Sequence, residues 1–337
     1  MGDTHSELMD YVRSVAKKVD SVIHQSVHGA PRELYEAALH YVKAGGKRLR
    51  PAVVFLFGEG LGCSNADVLA YLGAAVEVLH TYTLIHDDIM DRDTVRRGVP
   101  TVHVLWGLNL AILAGDLLYA YVFNLISRAV SKGLKPERLQ PVLDVVSWAS
   151  IQLAEGQAMD MDFEKRDDVS VDEYIEMVKR KTAALFEACA AIGAIAAGAN
   201  SDVVELARKV MRAAGIAFQI KDDILGITVA TEKLGKPRYS DIREGKKTLP
   251  IIIALNRVDN EKRQYMLKVL RKELTSDSDI ERVAKIIEDS GAIEDSERMA
   301  RQYASEALKH LESMEFKLLD RKSMIRELIE FIVSRGY

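Results

Sequence analysis

The sequence contains few cysteines, which cross-link small secreted domains, and few prolines, which interrupt helices. It has only two cysteines, Cys63 and Cys189, which are too isolated to form a disulfide framework or a zinc site. There are seven prolines in 337 residues, and aromatic residues make up 7% of the chain. Period-2 alternation of apolar and polar residues, the pattern of half-buried strands, is nearly absent. These shortages exclude a disulfide scaffold and disfavour an all-β fold.

The sequence also lacks a strong charge of either sign. Its formal net charge is −4, without the basic stripe that marks a nucleic-acid-binding protein, so we expect no nucleic-acid partner. No charged-then-apolar leader opens the chain. The nearly uncharged run of residues 188–199 is shorter than the ~20 apolar residues of a membrane span. We therefore expect a cytoplasmic protein without a transmembrane segment.

Helical features dominate what the sequence does contain. Hydrophobic residues make up 48% of the chain, and alanine, leucine, glutamate and lysine are plentiful. An apolar stripe at helical spacing predicts one amphipathic helix over residues 1–28, and Ser170 with Glu173 forms a capping box. Asn65 or Ser64 is expected to cap a helix from about Asp67 to Asp91. We find no internal repeat, low-complexity tract or linker. The sequence predicts a single all-α domain over residues 1–337.

Three carboxylates crowd the end of a long apolar run. In Leu84–Asp93, Asp87 and Asp91 stand one helical turn apart on the same face, with Asp88 beside them. Like charges this close raise one another's pKa unless a positive group lies among them. Oxygen ligands favour a hard divalent cation such as Mg²⁺, which usually leaves positions open for substrate phosphates. The stretch predicts a magnesium site.

A second acidic cluster closes another long apolar helix about 130 residues later. Asp222 and Asp223 lie in the run Lys221–Gly226, and Gln219 is one turn before Asp223. Two acidic helix ends of this kind predict Mg²⁺ ions held between two facing helices.

Cationic segments accompany the two clusters. The run Lys47–Pro51 would usually be a solvated connector, and it lacks the spacing of a Walker phosphate-binding loop. Its proline is expected to open the next helix. Arg96 and Arg97 lie in a predicted loop directly after the first cluster, and arginine forks suit phosphate oxygens. Residues 232–248 are charged and glycine-punctuated, which predicts a mobile loop. A lone helical histidine such as His80 is usually a core residue, but its position two turns before Asp87 favours a functional role.

The combination of Mg²⁺, phosphate and long apolar helices points to one kind of substrate. A diphosphate head with a hydrocarbon tail would use both the charged clusters and an apolar cavity. Metal-bound diphosphate is a good leaving group, and ionisation needs neither a nucleophilic side chain nor an organic cofactor. No Ser-His-Asp or Cys-His arrangement is evident.

On these motifs the chain resembles the trans-isoprenyl diphosphate synthases over about residues 30–250, and most of all the archaeal geranylgeranyl type. The resemblance implies an all-α isoprenoid synthase fold, with roughly a dozen helices around a deep central cavity. It also implies a homodimer, three Mg²⁺ ions per active site and isoprenoid diphosphates as substrates. The main product would be the C20 diphosphate.

The resemblance implies a role for each matching residue. The carboxylates expected to bind Mg²⁺ are Asp87, Asp88, Asp91, Asp222 and Asp223. The residues expected to bind isopentenyl diphosphate are Lys47, Arg50, His80 and Arg97. The residues expected to bind the allylic diphosphate are Arg96, Lys181 and Lys236.

Three further matches concern the reacting end of the substrate. Thr182 and Gln219 would line it, where their dipoles could stabilise the allylic cation, and Lys246 would help to close the site. The departing diphosphate is expected to remove the proton, so no protein base is assigned. Gln157 and Asp160 fit the family pattern without a definite role.

The chain departs from the family pattern at one position and carries a product-length signal at two others. Gly226 stands where the second motif usually ends in aspartate. Tyr82 is bulky and Thr83 is small, just before the first motif, which resembles the C20 synthases. We expect Tyr82 to form the floor under the growing tail.

Several alternatives remain at this level. Farnesyl (C15) and geranylfarnesyl (C25) synthases would share the chemistry. A class I terpene cyclase would need a different second motif from that at Asp222. A non-catalytic subunit of a heteromeric synthase would usually have lost aspartates or cationic patches, and a plain scaffold would not need clustered charge at two apolar helix ends.

Overall fold

The computed structural model describes residues 3–228 and 239–334. Apart from one short hairpin, the regular secondary structure of these residues is helical. The first elements are α1 (Asp3–Ser26), α2 (Arg32–Ala38), α3 (His40–Lys43), α4 (Leu49–Leu61), α5 (Ala66–Asp91), β1 (Val95–Arg96), β2 (Val99–Pro100), α6 (Val102–Trp106) and α7 (Leu108–Ser131). A 3₁₀ turn (Pro136–Arg138) leads to α8 (Leu139–Phe163), α9 (Val171–Val178), a π-helical turn (Lys179–Ala183), α10 (Ala184–Ala197) and α11 (Ser201–Thr228). The remaining elements are α12 (Ser240–Glu244), α13 (Leu249–Arg257), α14 (Asn260–Leu270), α15 (Asp277–Asp289), α16 (Ala292–Glu312) and α17 (Leu319–Ser334). The predicted all-α class is confirmed.

The chain divides into two compact units. The first is drawn from Met1–Ser150, Leu185–Met211 and Leu308–Leu328, and the second from Ile151–Ala184, Arg212–Ala307 and Ile329–Tyr337. The unit boundaries fall inside helices, as in α8 after Ser150 and in α11 after Met211. The single domain stays a prediction.

The first unit is built around α5, which contacts α1, α4 and α7. The side chain of Asn65 accepts hydrogen bonds from the backbone N–H groups of Asp67 and Val68, so the predicted cap begins this helix. A helix that is apolar all round is a core helix, and most of α5 is buried. The predicted apolar stripe of α1, from Leu8 to Ile23, is buried too, except for the half-buried Val22. The core thus fixes where the carboxylate end of α5 lies.

The second unit contains two apolar clusters. One joins Ile227 of α11 to α12, α13, α14 and α15. The other packs α9 against Phe163 of α8, Ile220 of α11 and Leu249 of α13. The capping box of Ser170 and Glu173 is present at the start of α9, as predicted. These clusters hold the ends of α8, α9 and α11, where the candidate site residues of this unit lie.

Local structure differs from the sequence predictions at three places. The arginine loop after the first cluster is a two-stranded hairpin, β1–β2. The predicted loop over residues 232–248 contains the helix α12, while residues 229–238 lie outside the described residues. The helix predicted to open at Pro51 begins two residues earlier, with Pro51 in its first turn, where a missing N–H is tolerated.

Two helices are long and apolar enough to cross a membrane by length and composition alone. They are α5, whose apolar stretch is 72% buried, and α7, whose stretch is 39% buried. Neither helix was expected from the sequence to meet this criterion, because each contains isolated charges. The core helix of a soluble protein meets the same criterion, and the burial of α5 fits that description.

Candidate active-site residues

The C-terminal end of α5 places its three carboxylates in two environments. Asp87 and Asp91 are half-buried. Asp88, between them, is fully buried, with 0% of its surface exposed. The helix ends where Arg92 adopts the left-handed conformation, with φ of 58°. One face of this helix end is therefore accessible, and Asp88 is directed into the protein.

Asp88 accepts two strong hydrogen bonds. One comes from the hydroxyl of Tyr41 in α3, and the other from Nε of Arg96 at 2.5 Å. Arg96 also contacts the carboxylate of Asp93 at 3.3 Å. Burial acts to lower the pKa of Arg96, but attraction to Asp88 and the hydrogen bond outweigh it, so the net pKa is raised. In this structure the guanidinium predicted to bind the allylic diphosphate is anchored by the buried aspartate.

The β1–β2 hairpin carries both arginines. Its two turn residues, Arg97 and Gly98, have φ of 54° and 75°, the positive values that a two-residue hairpin turn requires. Arg97 Nη1 donates to the backbone carbonyl of Tyr41 at 3.1 Å and to that of Gly45. Burial lowers the pKa of Arg97, although its guanidinium remains charged. The hairpin is thus tied to the segment before α4.

The cationic run before α4 separates into exposed and buried members. Lys47 is exposed and Arg50 is half-buried. Arg48 is only 3% exposed and forms ion pairs with Asp20 at 2.8 Å and with Glu77 at 2.9 Å. Arg48 therefore holds the fold, and the two residues predicted to bind substrate are the ones with accessible surface.

His80 lies against Arg50, and both were predicted to bind isopentenyl diphosphate. Arg50 Nη1 is 3.1 Å from Nε2 of His80, and the guanidinium stacks 4.6 Å from the ring centre of Phe186. Burial, followed by the charge of Arg50, lowers the pKa of His80 well below its usual value. A neutral ring with Nε2 as acceptor fits this contact. His80 thus orients Arg50 and adds no charge of its own.

The predicted floor residue Tyr82 belongs to an aromatic cluster. Its ring centre lies 4.8 Å from that of His86 and 5.0 Å from that of Tyr119 in α7. Tyr119 in turn packs edge-on against Phe123 at 5.4 Å. The hydroxyl of Thr83, one residue later, bonds back to the carbonyl of His80 at 2.8 Å. Tyr82 is thus fixed by packing on α7, a contact that the sequence did not reveal.

In the second unit, Asp160 binds two of the predicted cationic residues. Its Oδ2 is 2.5 Å from Nζ of Lys181 and 4.0 Å from Nζ of Lys246. Glu244 approaches Lys246 at 3.3 Å. Asp160 is 7% exposed, so its attraction to Lys181 is weakly screened. No definite role for Asp160 was evident from the sequence. In the structure its carboxylate lies where it orients the ammonium groups of Lys181 and Lys246.

Lys181 and Thr182 lie in a π-helical turn, Lys179–Ala183. Such turns are rare and occur often at functional sites. The turn packs against Gly156 of α8, where an added β-carbon would lie 2.3 Å from the backbone nitrogen of Lys181. Only glycine allows this approach without a shift of backbone. Gly156, a glycine inside a helix, was the one visible signal of the contact, and sequence reasoning missed it.

A hydrogen-bonded chain ends at the second aspartate cluster. The hydroxyl of Thr182 donates to Oε1 of Gln219 at 2.8 Å, and Nε2 of Gln219 donates to Asp223 at 2.8 Å. The hydroxyl of Tyr174 donates to the other oxygen of Asp223 at 2.5 Å. Asp223 is 5% exposed, whereas Asp222 is half-buried. The chain fixes the orientation of the Gln219 amide.

The charge of Asp223 is strongly disfavoured. Burial, followed by repulsion from Asp241, raises the pKa of Asp223 to about 7, against the hydrogen bonds that it accepts. Its neighbour Lys221 is directed elsewhere and pairs with Glu297 of α16. The two members of the Asp222–Asp223 pair therefore differ in burial and in surroundings.

The accessible donors suit Mg²⁺. Asp87, Asp91 and Asp222 are half-buried carboxylates, and hard cations take oxygen ligands. Among the described residues, no three acidic, histidine or cysteine side chains converge into a complete metal cage. Mg²⁺ usually binds through one or two carboxylates together with substrate phosphates, so an incomplete cage fits this ion.

Two tyrosines escaped the sequence analysis. Tyr41 lies 47 residues from Asp88, and Tyr174 lies 49 residues from Asp223. No local sequence pattern predicts contacts over such separations. Lys236, predicted to bind the allylic diphosphate, lies outside the described residues.

Comparisons with known proteins agree with the resemblance in the motifs. The sequence model of the family Polyprenyl synthetase matches residues 31–287. A geranylgeranyl diphosphate synthase from Sulfolobus acidocaldarius is 42% identical over 97% of this chain and 98% of its own. A geranylfarnesyl diphosphate synthase from Aeropyrum pernix is 44% identical over 94% of this chain and 99% of its own. The crystal structure of geranylgeranyl pyrophosphate synthetase from Pyrococcus horikoshii superposes with a TM-score of 0.90 at 39% identity, covering 98% of this chain and 99% of that one.

Proposed function

The chain belongs to the polyprenyl synthetase family, and from that premise we propose that it is a geranylgeranyl diphosphate synthase. It is a prenyltransferase that elongates dimethylallyl, geranyl and farnesyl diphosphates with isopentenyl diphosphate. Its main product is all-trans geranylgeranyl diphosphate, a C20 precursor for isoprenoids and lipids. Full-length relatives carrying that name support the proposal.

One observation carries the chemistry. The accessible carboxylates at the end of α5, Asp87 and Asp91, adjoin Asp88, whose half-buried partner Arg96 lies on the neighbouring hairpin. Carboxylates that bind a metal and a guanidinium that binds phosphate oxygens are the two components needed to hold a metal–diphosphate complex. This pairing of groups supports a diphosphate substrate.

Members of the family depend on Mg²⁺. When bound, Mg²⁺ stabilises the charge that develops on the diphosphate as it leaves the allylic carbon. We propose three ions per active site. From the two aspartate motifs, the accessible Asp87, Asp91 and Asp222 would bind the ions directly. Asp88 and Asp223, whose oxygens accept hydrogen bonds inside the protein, would contribute by orienting these neighbours.

The remaining residues bind and orient the substrates. Lys47, Arg50 and Arg97 would bind isopentenyl diphosphate, with the neutral ring of His80 holding Arg50 in place. Donors of this kind, fixed before the substrate arrives, stabilise developing charge without reorganisation.

The allylic diphosphate would be bound by a second set of residues, Arg96, Lys181 and Lys236, and Lys246 would help to close the site. The hydroxyl oxygen of Thr182 and the amide of Gln219 would face the allylic cation. No protein base is proposed, because the departing diphosphate can accept the proton.

The proposed length of the product is supported by the aromatic cluster around Tyr82. A floor made of one mobile side chain would yield to a growing tail, but Tyr82 is backed by Tyr119 and His86. Identity alone separates the products poorly, since the C25 synthase of Aeropyrum pernix is as similar as the C20 synthase of Sulfolobus acidocaldarius. The cluster favours C20 over C25.

A product assay tests the proposal. The purified protein with Mg²⁺ and isopentenyl diphosphate is given each of the three allylic primers, and the dephosphorylated products are sized by chromatography. A C20 alcohol from every primer is expected, and EDTA or Asp87→Ala should abolish it. Asp67→Ala, at the exposed opposite end of α5, is the matched control and should retain activity. A cyclic hydrocarbon, or no elongation, would contradict the proposed reaction, and C15 or C25 would contradict the proposed floor.

A homodimer is the second part of the proposal. Large apolar side chains are exposed along α6 and α7, including Leu105, Leu108 and Leu113, which are each about half exposed. Exposed large apolar side chains gathered on two consecutive helices are typical of a protein–protein interface. The family resemblance indicates a second copy of this chain as the partner, acting in the cytoplasm.

Light scattering coupled to size-exclusion chromatography tests the dimer. The wild-type protein should elute as a dimer, and Leu108→Glu with Leu113→Glu should give a folded monomer. Leu319→Glu changes a leucine that is 70% exposed on α17 and should remain dimeric. A monomeric wild type at micromolar concentration would overturn this part of the proposal.

A further inference from the structure

The two aspartate pairs are built in the same way. In each pair the first residue, Asp87 or Asp222, is half-buried. The second residue, Asp88 or Asp223, is buried, with 0% and 5% of its surface exposed. In each case a buried tyrosine on a nearby helix donates its hydroxyl hydrogen to the second carboxylate.

In the first unit, Tyr41 has a fixed position. The tyrosine is 0% exposed, and its hydroxyl oxygen accepts a hydrogen bond from the backbone N–H of Val102 at 3.3 Å while its hydrogen is donated to Asp88. The other oxygen of Asp88 is occupied by Arg96. Asp88 cannot turn toward the accessible side without losing a buried hydrogen bond.

In the second unit, Tyr174 has the same relation to Asp223. The tyrosine is 1% exposed, and its hydroxyl lies 2.5 Å from Oδ2 of Asp223. The backbone N–H of Leu249 approaches the same oxygen at 3.5 Å, and the amide of Gln219 donates to the other. Both oxygens of this carboxylate are thus engaged inside the protein.

We infer that Tyr41 and Tyr174 are positioning residues for the proposed reaction: each holds the second aspartate of its pair inside the protein and thereby fixes the rotation of the helix end that presents the first aspartate. The inference rests on the proposed function. Hydrogen bonds to a carboxylate are short and strong, and a buried carboxylate that loses a donor must find another. Without the hydroxyl, Asp88 or Asp223 would rotate, and the neighbouring Asp87 or Asp222 would be presented less accurately.

The test replaces each hydroxyl while keeping the ring. Tyr41→Phe and Tyr174→Phe are made in the full-length enzyme, and binding of Mg²⁺ with inorganic pyrophosphate is measured by calorimetry alongside kcat and KM. We expect the Mg²⁺ concentration for half-maximal pyrophosphate binding to rise about tenfold, or about 1.4 kcal/mol. We also expect kcat to fall while KM for isopentenyl diphosphate changes less than threefold.

Two other tyrosine–carboxylate contacts supply matched controls. Tyr11 donates to Glu59 at 3.0 Å in the first unit, and Tyr265 donates to Asp279 at 2.6 Å in the second. Tyr11→Phe and Tyr265→Phe make the same chemical change away from the aspartate pairs. They should leave the Mg²⁺ dependence unchanged.

The outcomes separate the inference from the proposed function. A wild-type protein that neither elongates substrates nor binds Mg²⁺ with pyrophosphate would overturn the proposed function. The inference alone would be overturned if the wild type elongates substrates while Tyr41→Phe and Tyr174→Phe show the same Mg²⁺ dependence as Tyr11→Phe and Tyr265→Phe. If a phenylalanine variant fails to fold, 4-aminophenylalanine at the same position decides the matter. Its N–H donor should restore the fold and the Mg²⁺ dependence, and failure to restore the latter would refute the positioning role.

Discussion

A β-carbon added to Gly156 would lie 2.3 Å from the backbone nitrogen of Lys181. The glycine belongs to α8, and Lys181 belongs to the π-helical turn that also carries Thr182. No contact of that length between a β-carbon and backbone is tolerated, so any side chain at position 156 must displace the turn. The positions of Lys181 and Thr182, both predicted to bind substrate, therefore depend on the absence of a side chain at Gly156 of α8.

Gly156→Ala is expected to impair the reaction. Alanine favours a helix over glycine by ~1 kcal/mol, but overpacking against backbone costs ~1–3 kcal/mol and shifts the turn. A misplacement of about 1 Å can reduce a rate by ~100-fold, so we expect kcat/KM for farnesyl diphosphate to fall by about 10- to 100-fold. Steady-state kinetics and thermal melting measure the two effects. Ala158→Gly, at an exposed position of the same helix, reports helix propensity alone and should leave the kinetics unchanged; unaltered kinetics in Gly156→Ala would refute the argument.

The features that could be predicted from the sequence are those written in local patterns. The apolar run and the Asn65 cap predicted α5, and the capping box of Ser170 predicted the start of α9, because periodicity and caps involve neighbouring residues. Both aspartate motifs lie at helix ends, as predicted. The role of Asp88 could not be predicted, because its burial depends on Tyr41 and Arg96 reaching it from other elements.

Backbone departures from ideal geometry were equally hidden from the sequence. The hairpin turn at Arg97 and Gly98 requires positive φ at both residues, which arginine seldom adopts, so the dipeptide gave a weak signal. The π-helical turn at Lys181 has no sequence signature of its own. Both occur beside candidate site residues, where local rules are most often broken.

Arg48 is expected to contribute to stability and not to substrate binding. Its side chain and that of Glu77 are 1% and 2% exposed and form an ion pair of 2.9 Å. Removing one partner of a buried pair leaves an uncompensated charge and costs ~3–5 kcal/mol, whereas replacing both partners by apolar residues can be nearly neutral. Urea denaturation should therefore show Arg48→Met to be strongly destabilised and Arg48→Met with Glu77→Met to be less so. Lys47→Met, at the exposed neighbour, should change the free energy of unfolding by less than ~0.5 kcal/mol. An equal loss of unfolding free energy in Arg48→Met and Lys47→Met would contradict the structural role of Arg48.

His80 is expected to make the stability pH-dependent. Its pKa in the folded protein lies well below the value of ~6.5 in an unfolded chain, because of burial and the charge of Arg50. Below pH ~6.5 the unfolded state therefore binds a proton that the folded state does not, and stability falls as the pH falls. The loss from this site approaches ~1.4 kcal/mol per pH unit until the folded-state pKa is reached.

Comparing unfolding free energies at pH 7 and pH 5 isolates this contribution. His80→Gln retains an oxygen that can accept from Arg50 and cannot be protonated in this range. The difference in unfolding free energy between His80→Gln and the wild type should therefore be more favourable to the variant at pH 5 than at pH 7. His28→Gln, at an exposed histidine, should follow the wild type. Parallel pH profiles for His80→Gln and the wild type would mean that His80 is not held neutral.

Tyr82→Ala is expected to lengthen the product. The ring lies 5.0 Å from that of Tyr119 on α7, and removing it opens space at the place where we expect the growing tail to stop. Tyr119→Ala removes the support and should lengthen the product to a smaller extent. Chromatography of the dephosphorylated products gives the chain lengths. Tyr71→Ala makes the same change earlier on α5 and should still give C20; C20 from Tyr82→Ala would remove this residue from the floor.

Restoring aspartate at position 226 is expected to destabilise the protein. An added β-carbon at Gly226 would lie 2.8 Å from Oδ2 of Asp241, so a carboxylate there would be placed beside an existing one. Two like charges about 4 Å apart repel by between ~1 kcal/mol in water and ~4 kcal/mol near a protein surface. Asp241 also contributes to the raised pKa of Asp223, so a third negative charge would add to an existing repulsion.

Calorimetric melting of Gly226→Asp and Gly226→Asn separates charge from size, because the two side chains have nearly the same shape. In EDTA the aspartate variant should melt at a lower temperature than the asparagine variant. Mg²⁺ with inorganic pyrophosphate should narrow this difference, because a bound cation offsets the repulsion between carboxylates. Identical melting of the two variants in EDTA would mean that the side chain at 226 avoids Asp241. A difference that Mg²⁺ removes would instead indicate that the cation binds close to positions 226 and 241. Asp241, 2.8 Å from an added β-carbon at Gly226, could then supply the carboxylate that the motif lacks there.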